Sequence, residues 1–376
     1  MNFSKLDSLM NKMPILGYPS CEIVISRDGK TIYQNSIGYA DADKTRPASP
    51  NDLYWLFSCT KVITCIAALR LLESGDISLD DPVSKYLPEF KNPVVRQETG
   101  KPIPAKNVMT VRHLFTMTAG LSYDIDTPAI KKARTKDATT RSIIRAIAED
   151  PIYFEPGTHY KYSLCHDVLG GIIETVSGMS LSEYMKRYIF DPLGLSDIGF
   201  HPSEEQAKRF VDMYEGNSGT NISKPIPCIN NYIFSQRYDS GGAGLFSTAS
   251  DYASIIATIA NGGVTADGYT LLRPETIAMA QKNLLDYIAL TDFCNGRLFG
   301  YGWGLCGRVH RDASVSFSKS PVGEFGWDSA GNALALIDPE NRLSFIFLAH
   351  VRNYAYGYNY IHPILRNIIY ECLEEK

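Results

Sequence analysis

The sequence carries no marked excess of either charge, no continuous apolar run long enough to cross a bilayer, and no C-x-x-C pair among its eight cysteines. Each absence excludes something. With 37 Lys or Arg side chains against 41 Asp or Glu, the net charge is −4 over 376 residues. No basic surface is then available to track phosphates, which argues against nucleic acid or an anionic membrane as a partner. The longest apolar stretch, around VITCIAAL, is interrupted by Arg70 and is too short for a transmembrane helix. The N-terminus spaces Phe3, Leu6, Met10 and Met13 along one helical face with charges between them, which is not the basic start and apolar core of an export signal. Eight cysteines in a chain this long do not form a disulfide framework, so all eight are expected to be free thiols in a reducing, cytoplasmic compartment. No pair of histidines has a familiar zinc spacing, and neither metal nor cofactor is expected.

What is present is an ordinary globular composition, 44% hydrophobic and 21% charged, with volume for two or three units of typical domain size. After the N-terminal helix, CEIVIS and KTIYQNSIG flank Arg27-Asp28-Gly29 and predict a hairpin. SCTKVITCIAALRLLESG carries apolar residues on nearly every face and stops at Gly75, which describes a helix buried between layers. From about residue 76 to 245 the texture changes to short helical patterns between Pro- and Gly-rich turns, with Thr110 ahead of VRHLFTM and a capping pair, Ser180 with Glu183. STASDYASIIATIANGG predicts another helix, and NALALID and RLSFIFLAHV two strands across Asp338-Pro339-Glu340-Asn341. The last segment, with Ile361, Leu365, Ile368, Ile369 and Cys372 on one face, predicts an amphipathic helix. The fold class expected is α/β (α+β): a sheet domain from residues 1–75 and 246–376, flanked by helices, with a mostly helical domain of residues 76–245 inserted.

The pattern S-x-x-K occurs twice, at Ser58-Cys59-Thr60-Lys61 and at Ser316-Phe317-Ser318-Lys319. Residues three apart share a helix face but point to opposite faces of a strand. Only the first pair opens a helix; Ser316 lies in an alternating stretch, where its side chain and that of Lys319 should diverge. At a helix start, unpaired N–H groups and the positive dipole end favour a developing oxyanion at Ser58. Lys61, shielded from water by Leu56, Val62 and Ile63, would have its pKa lowered into a range where it can take the serine proton. The same two residues equally fit an N-cap serine and a lysine snorkelling from a helix end. Pro156-Gly157-Thr158-His159-Tyr160-Lys161-Tyr162-Ser163 places Tyr162 in a loop just before a helix, where a phenol can pass a proton to a leaving group. With 23 tyrosines in the chain, a core tyrosine is the alternative.

Five segments in this order, SCTK, HLFTMTAGL, PGT-x-Y-x-YSL, SGGAGLFSTASDYA and GWDSAG through IDPENRL, make the chain resemble the serine beta-lactamase and penicillin-binding-protein superfamily over about residues 20 to 350. Within it the resemblance is to the branch of class C beta-lactamases, D-amino peptidases and family VIII carboxylesterases. It implies Ser58 as acylated nucleophile, Lys61 as its base and Tyr162 as proton shuttle. Trp327-Asp328-Ser329 corresponds to the third motif, usually Lys-Thr-Gly on an edge strand, and the N–H of Ala330 would join that of Ser58 in an oxyanion hole.

Two departures from the family pattern bear on substrate. Leu164 stands where Tyr-x-Asn often places an amide, and Trp327 replaces the lysine that recognises a carboxylate, with the anion of Asp328 beside it. Losing one charge-assisted hydrogen bond removes roughly 1.5 to 3 kcal/mol, about ten- to a hundred-fold in affinity. Small neutral esters, handled by a carboxylesterase, are therefore the substrates expected. The alternatives are a beta-lactamase or D-amino-acid-directed peptidase, and a protein of the same fold that binds or senses without turnover.

Other signals carry less. Ser329 lacks the first glycine of a G-x-S-x-G elbow. Gly241-Gly242-Ala243-Gly244 does not complete a phosphate-binding pattern and fits close packing behind the site. Cys59 is expected in the core, His113 and His362 are expected on helices as hydrogen-bonded histidines and not metal ligands, and Tyr160, Tyr238 and Trp303 lie more often in a core than in a cleft.

Overall fold

The computed structural model describes residues 1–294 and 298–374. Seven strands, β1 Ser20–Arg27, β2 Lys30–Gly38, β3 Tyr301–Gly304, β4 Gly307–His310, β5 Phe325–Asp328, β6 Leu334–Asp338 and β7 Leu343–Ala349, form one sheet in the order β3-β4-β5-β6-β7-β1-β2. Every pairing in it is antiparallel. The β1–β2 turn has Asp28 and Gly29 both at positive φ, 51° and 73°, the turn geometry that matches the twist of a hairpin.

β6 and β7 are buried along their whole length because both faces of the sheet are covered. Alternate residues are shared between two cores. Leu334, Leu336, Phe345 and Phe347 pack with Leu6, Met10, Leu365 and Ile369, from the terminal helices α1 (Ser4–Met10) and α5 (His362–Glu374). Ala335, Ile337, Ile346 and Leu348 face the larger core with Val62, Ile63, Ile66 and Leu69 of α2 (Thr60–Ser74) and Ile172 of α3 (Cys165–Ser177). Tyr252, Ile255 and Ile256 of α4 (Ala249–Ala260) join that core, and α4 lies on β7 and β1. All of Thr60 to Leu69 is buried, the all-round burial expected from the sequence, and α2 ends at Gly75 with φ 80°.

The architecture is the beta-lactamase/transpeptidase-like arrangement, a mainly antiparallel sheet flanked by helices with a mostly helical part between its two contributing segments. The helical part also holds a hairpin, Met213–Asn217 with Ile222–Ile226, extended in parallel by Val351–Arg352. The sequence reading has no strand there, because the hairpin's outer strand is polar and mostly exposed and shows no apolar alternation. Ser316 is a second correction. It closes a short helix, Ala313–Ser316, and Phe317 follows at φ 55°. Its Oγ meets His310 Nε2 at 2.7 Å while Lys319 pairs with Glu371, so the second S-x-x-K still diverges, though not as a strand. No helix among the described residues is long and apolar enough to cross a membrane.

Candidate active site

Ser58 does not sit inside α2. It lies in a 3-10 turn, Phe57–Cys59, that leads into the helix. Phe57 adopts φ 43°, uncommon for a bulky residue, and is held there by packing with Leu53, Trp55, Met213 and Phe246. The turn delivers Ser58, 6% exposed, one helical step above Lys61, 1% exposed. Lys61 Nζ is 3.3 Å from Ser58 Oγ, donates to the Gly242 carbonyl at 2.7 Å and lies 3.5 Å from the Tyr123 hydroxyl.

Burial without a directly paired carboxylate pulls Lys61 from its ordinary 10.5 down to about 8, with Asp167 acting against that fall. A change of this size favours the neutral amine by about 3 kcal/mol and raises its free-base fraction about 300-fold at neutral pH. The amine also lies 4.7 Å from the Tyr162 ring centre and 5.2 Å from that of Tyr123.

Two loops bring the tyrosines there. Gly157, Lys161 and Leu164 donate backbone hydrogen bonds to Thr118, Met117 and Ser122, and Tyr153 donates to Gly120. This lacing fixes the register of the loop before α3 against the loop after Val111–Phe115, and the rings of Tyr123 and Tyr162 end 5.1 Å apart. Both phenols interact with Ser58, and burial drives both well above their ordinary value, so both stay protonated at neutral pH.

β5 closes the opposite side. By strand order it is interior, not an edge, but its pairing with β4 ends at Gly326, so Trp327 and Asp328 are laddered only to β6. Trp327 Nε1 donates to the Tyr162 hydroxyl at 2.9 Å, and its ring packs edge-on against Trp303 at 4.5 Å. The Trp327 indole thus spends its one donor on the phenol. Cys59 Sγ is 3.7 Å from the Trp327 carbonyl oxygen. Ala330 packs against the cluster that contains Phe57, which brings the 329–331 turn beside Ser58.

Of the residues expected at the site, Ser58, Lys61 and Tyr162 meet one another, Trp327 joins them through the Tyr162 hydroxyl, and Ala330 packs on the cluster that holds Phe57. Leu164 is 3% exposed within the main core, where it caps the start of α3. Asp328 is 8% exposed; its charge acts on Tyr162 and Cys59. Ser329 is 2% exposed, with its Oγ accepting from Ala333 N–H. Cys59 is fully buried and its thiol is pushed up by that burial. Trp303 and Tyr238 are core residues with their polar ends bonded to Phe115 O and Asp167, while Tyr160 stays half-buried beside Phe293. Among the described residues no group of three His, Cys, Asp or Glu could hold a metal ion.

Two contributors, Tyr123 and Asp167, are absent from the sequence reading. Tyr123 lies just beyond HLFTMTAGL, in a loop with no periodicity to place it. Asp167 looks like an acid complementing the α3 dipole. The glycine run packs closely behind the site, as the sequence reading expects: Thr64 Oγ1 donates to the Gly241 carbonyl and Lys61 to that of Gly242.

An acyl-transfer fold with a buried Ser–Lys–Tyr cluster defines the class as a serine hydrolase. The chain belongs to the Beta-lactamase family, whose model matches residues 6–357. Esterase EstB of Burkholderia gladioli is 28% identical over 87% of this chain and 84% of its own. Lovastatin esterase of Penicillium rubens is 32% identical over 68% of this chain and 66% of its own. Among solved structures, EstCE1, described as a hydrolase with promiscuous acyltransferase activity, superposes with a TM-score of 0.81 at 24% identity over 98% of both chains.

Proposed function

We propose that the protein is a carboxylesterase for small neutral esters, working through an acyl-enzyme on Ser58. The observation that carries this reading is the 3.3 Å approach of a buried, pKa-lowered Lys61 to Ser58 Oγ. Lys61 takes the Ser58 proton as Oγ adds to the ester carbonyl, and the N–H groups of Ser58 and Ala330 hold the oxyanion. Collapse expels the alcohol, which receives its proton through the Tyr162 hydroxyl, recharged from Lys61. Water then releases the acid by the reverse path. The cleft lies between a sheet domain of residues 1–75 and 246–376 and a helical domain of residues 76–245, and eight unpaired cysteines support a reducing, cytoplasmic setting.

The bond from Trp327 Nε1 to Tyr162 favours neutral substrates, because the indole carries no positive charge and offers its one donor to the phenol. The family's own name favours the second reading, a beta-lactam or D-amino-acid-directed hydrolase. Initial rates on p-nitrophenyl acetate and nitrocefin decide between them: the ester is expected to be turned over faster, and turnover of nitrocefin without the ester overturns the esterase reading. A protein that binds without turnover would give neither, and no Ser58 adduct with a fluorophosphonate.

The two phenols have separable parts. Tyr162→Phe removes the shuttle and the Trp327 acceptor together and is expected to lower kcat/KM by about 100-fold or more, whereas Tyr123→Phe should lower it by about 10-fold or less. The Tyr162→Phe loss should be larger on ethyl than on p-nitrophenyl esters, since only the poorer leaving group needs its proton. Equal losses in the two variants on both esters would remove Tyr162 from the shuttle role.

A further inference from the structure

Behind Lys61 stands a carboxylate that this reaction does not yet use. Asp167, in the first turn of α3, is 1% exposed. Its Oδ1 accepts from the Tyr238 hydroxyl at 2.9 Å, from Ser240 Oγ at 2.6 Å and from the Gly242 N–H at 3.2 Å. Oδ2 has no hydrogen-bond partner among the described residues. It lies so close to Gly242 that a Cβ there would stand 2.4 Å from it. The same glycine turns its carbonyl to Lys61 Nζ at 2.7 Å. One backbone unit therefore links the carboxylate to the amine, and any side chain at 242 would part them.

We propose that Asp167 is a positioning residue for the reaction: it holds the 240–244 turn against Lys61 and, by its charge, sets the pH at which that amine becomes a base. The proposal rests on Lys61 acting as the base. A buried carboxylate with one oxygen left without a donor is destabilising by itself, so packing alone gives no reason for an acid here. A nearby cation does.

The other groups facing Lys61 leave Asp167 this role. The thiols of Cys59 and Cys65 on its own segment and of Cys165 on α3 are pushed up by burial, as are the phenols of Tyr123 and Tyr162. His166 is pulled down to about 3. All of these are neutral near pH 7. Asp328, on β5, acts on Cys59 and Tyr162. Desolvation lowers Lys61, and Asp167 is the largest influence in the opposite direction.

The experiment is the pH profile of kcat/KM for p-nitrophenyl acetate in the full chain, for the wild type, Asp167→Asn and Tyr238→Phe. Asn keeps an acceptor for the three donors and removes the charge, so the ascending limb is expected to move down by about one pH unit. The plateau is expected to fall several-fold, because the weaker base drives proton transfer less. Tyr238→Phe keeps the charge with one donor fewer and should leave the limb in place. A purely structural Asp167 would lower the Asp167→Asn profile at every pH without moving the limb, and that outcome, or a limb moved upward, overturns the proposal. If the amide variant does not fold, the same shift is read from the smaller neutral variant Asp167→Ser; failure of both to fold assigns Asp167 to the scaffold and also overturns it. A wild type with no ascending limb near pH 8 would instead bring down Lys61 as the base, and shows this before any Asp167 variant is made.

Discussion

Replacing Ser58 by alanine is expected to lower ester turnover by about 10⁴-fold or more and to abolish the mass adduct left by a fluorophosphonate. The size of the effect follows from the lack of a substitute. Cys59 is the adjacent residue, but its thiol is fully buried, turned toward the Trp327 carbonyl and pushed up by that burial, so it is neither accessible nor ionised. Ser329 is buried with its oxygen engaged by Ala333. The phenols of Tyr123 and Tyr162 stay protonated. Lys61 is buried, with its Nζ 3.3 Å from Ser58 Oγ and donating to the Gly242 carbonyl. Removal of one hydroxyl in the turn before α2 leaves the apolar packing of that helix untouched, so thermal stability should change little. Persistence of the adduct, or residual turnover within ten-fold of the wild type, would move the nucleophile elsewhere.

The parts of this site that lie on regular elements were legible in the sequence, and the parts that depend on loops meeting were not. Ser58 and Lys61 share a helical step, so their spacing alone predicts their contact. The apolar residues on nearly every face of α2 predict its burial, and with it the lowered lysine. β6 and β7 read as strands because both of their faces are covered and their residues, apart from Asp338 and Ser344, are apolar. Tyr162 could be placed before a helix, but not beside Lys61 except through family resemblance. Its position depends on backbone hydrogen bonds between residues 117–122 and 153–164, two loops whose composition says nothing about register. Tyr123 was invisible for the same reason. Asp167 shows what a single sequence hides. Its carboxylate is at a helix start, where an acid is unremarkable, and only the meeting of α3 with the 240–244 turn shows it buried and joined to the lysine through Gly242. The reading of Ser316 as part of a strand failed because Asp312 and the left-handed Phe317 bracket a single helical turn, a local hydrogen-bonding solution that overrides alternation over so few residues.

Lys61→Met tests the electrostatics of the site in two independent measurements. Methionine has similar length and no titratable group, so the cavity stays filled while the base disappears; kcat/KM is expected to fall by about 10³-fold or more. The second measurement needs no substrate. In the wild type Lys61 titrates at about 8 when folded and at 10.5 when unfolded. Between those values the unfolded chain holds a proton that the folded chain does not, so stability is fullest above 10.5 and is lost as pH falls toward 8, levelling off below it. The loss amounts to about 3 kcal/mol. Methionine contributes no such term. The difference in urea-unfolding free energy between Lys61→Met and wild type should therefore shift by about 3 kcal/mol in favour of the variant between the alkaline and neutral limits, whatever constant penalty comes from the Gly242 carbonyl losing its donor. A pH-independent difference would mean that Lys61 keeps the ordinary value of an exposed lysine in the folded protein. An activity loss would then reflect a missing positive charge, not a missing base.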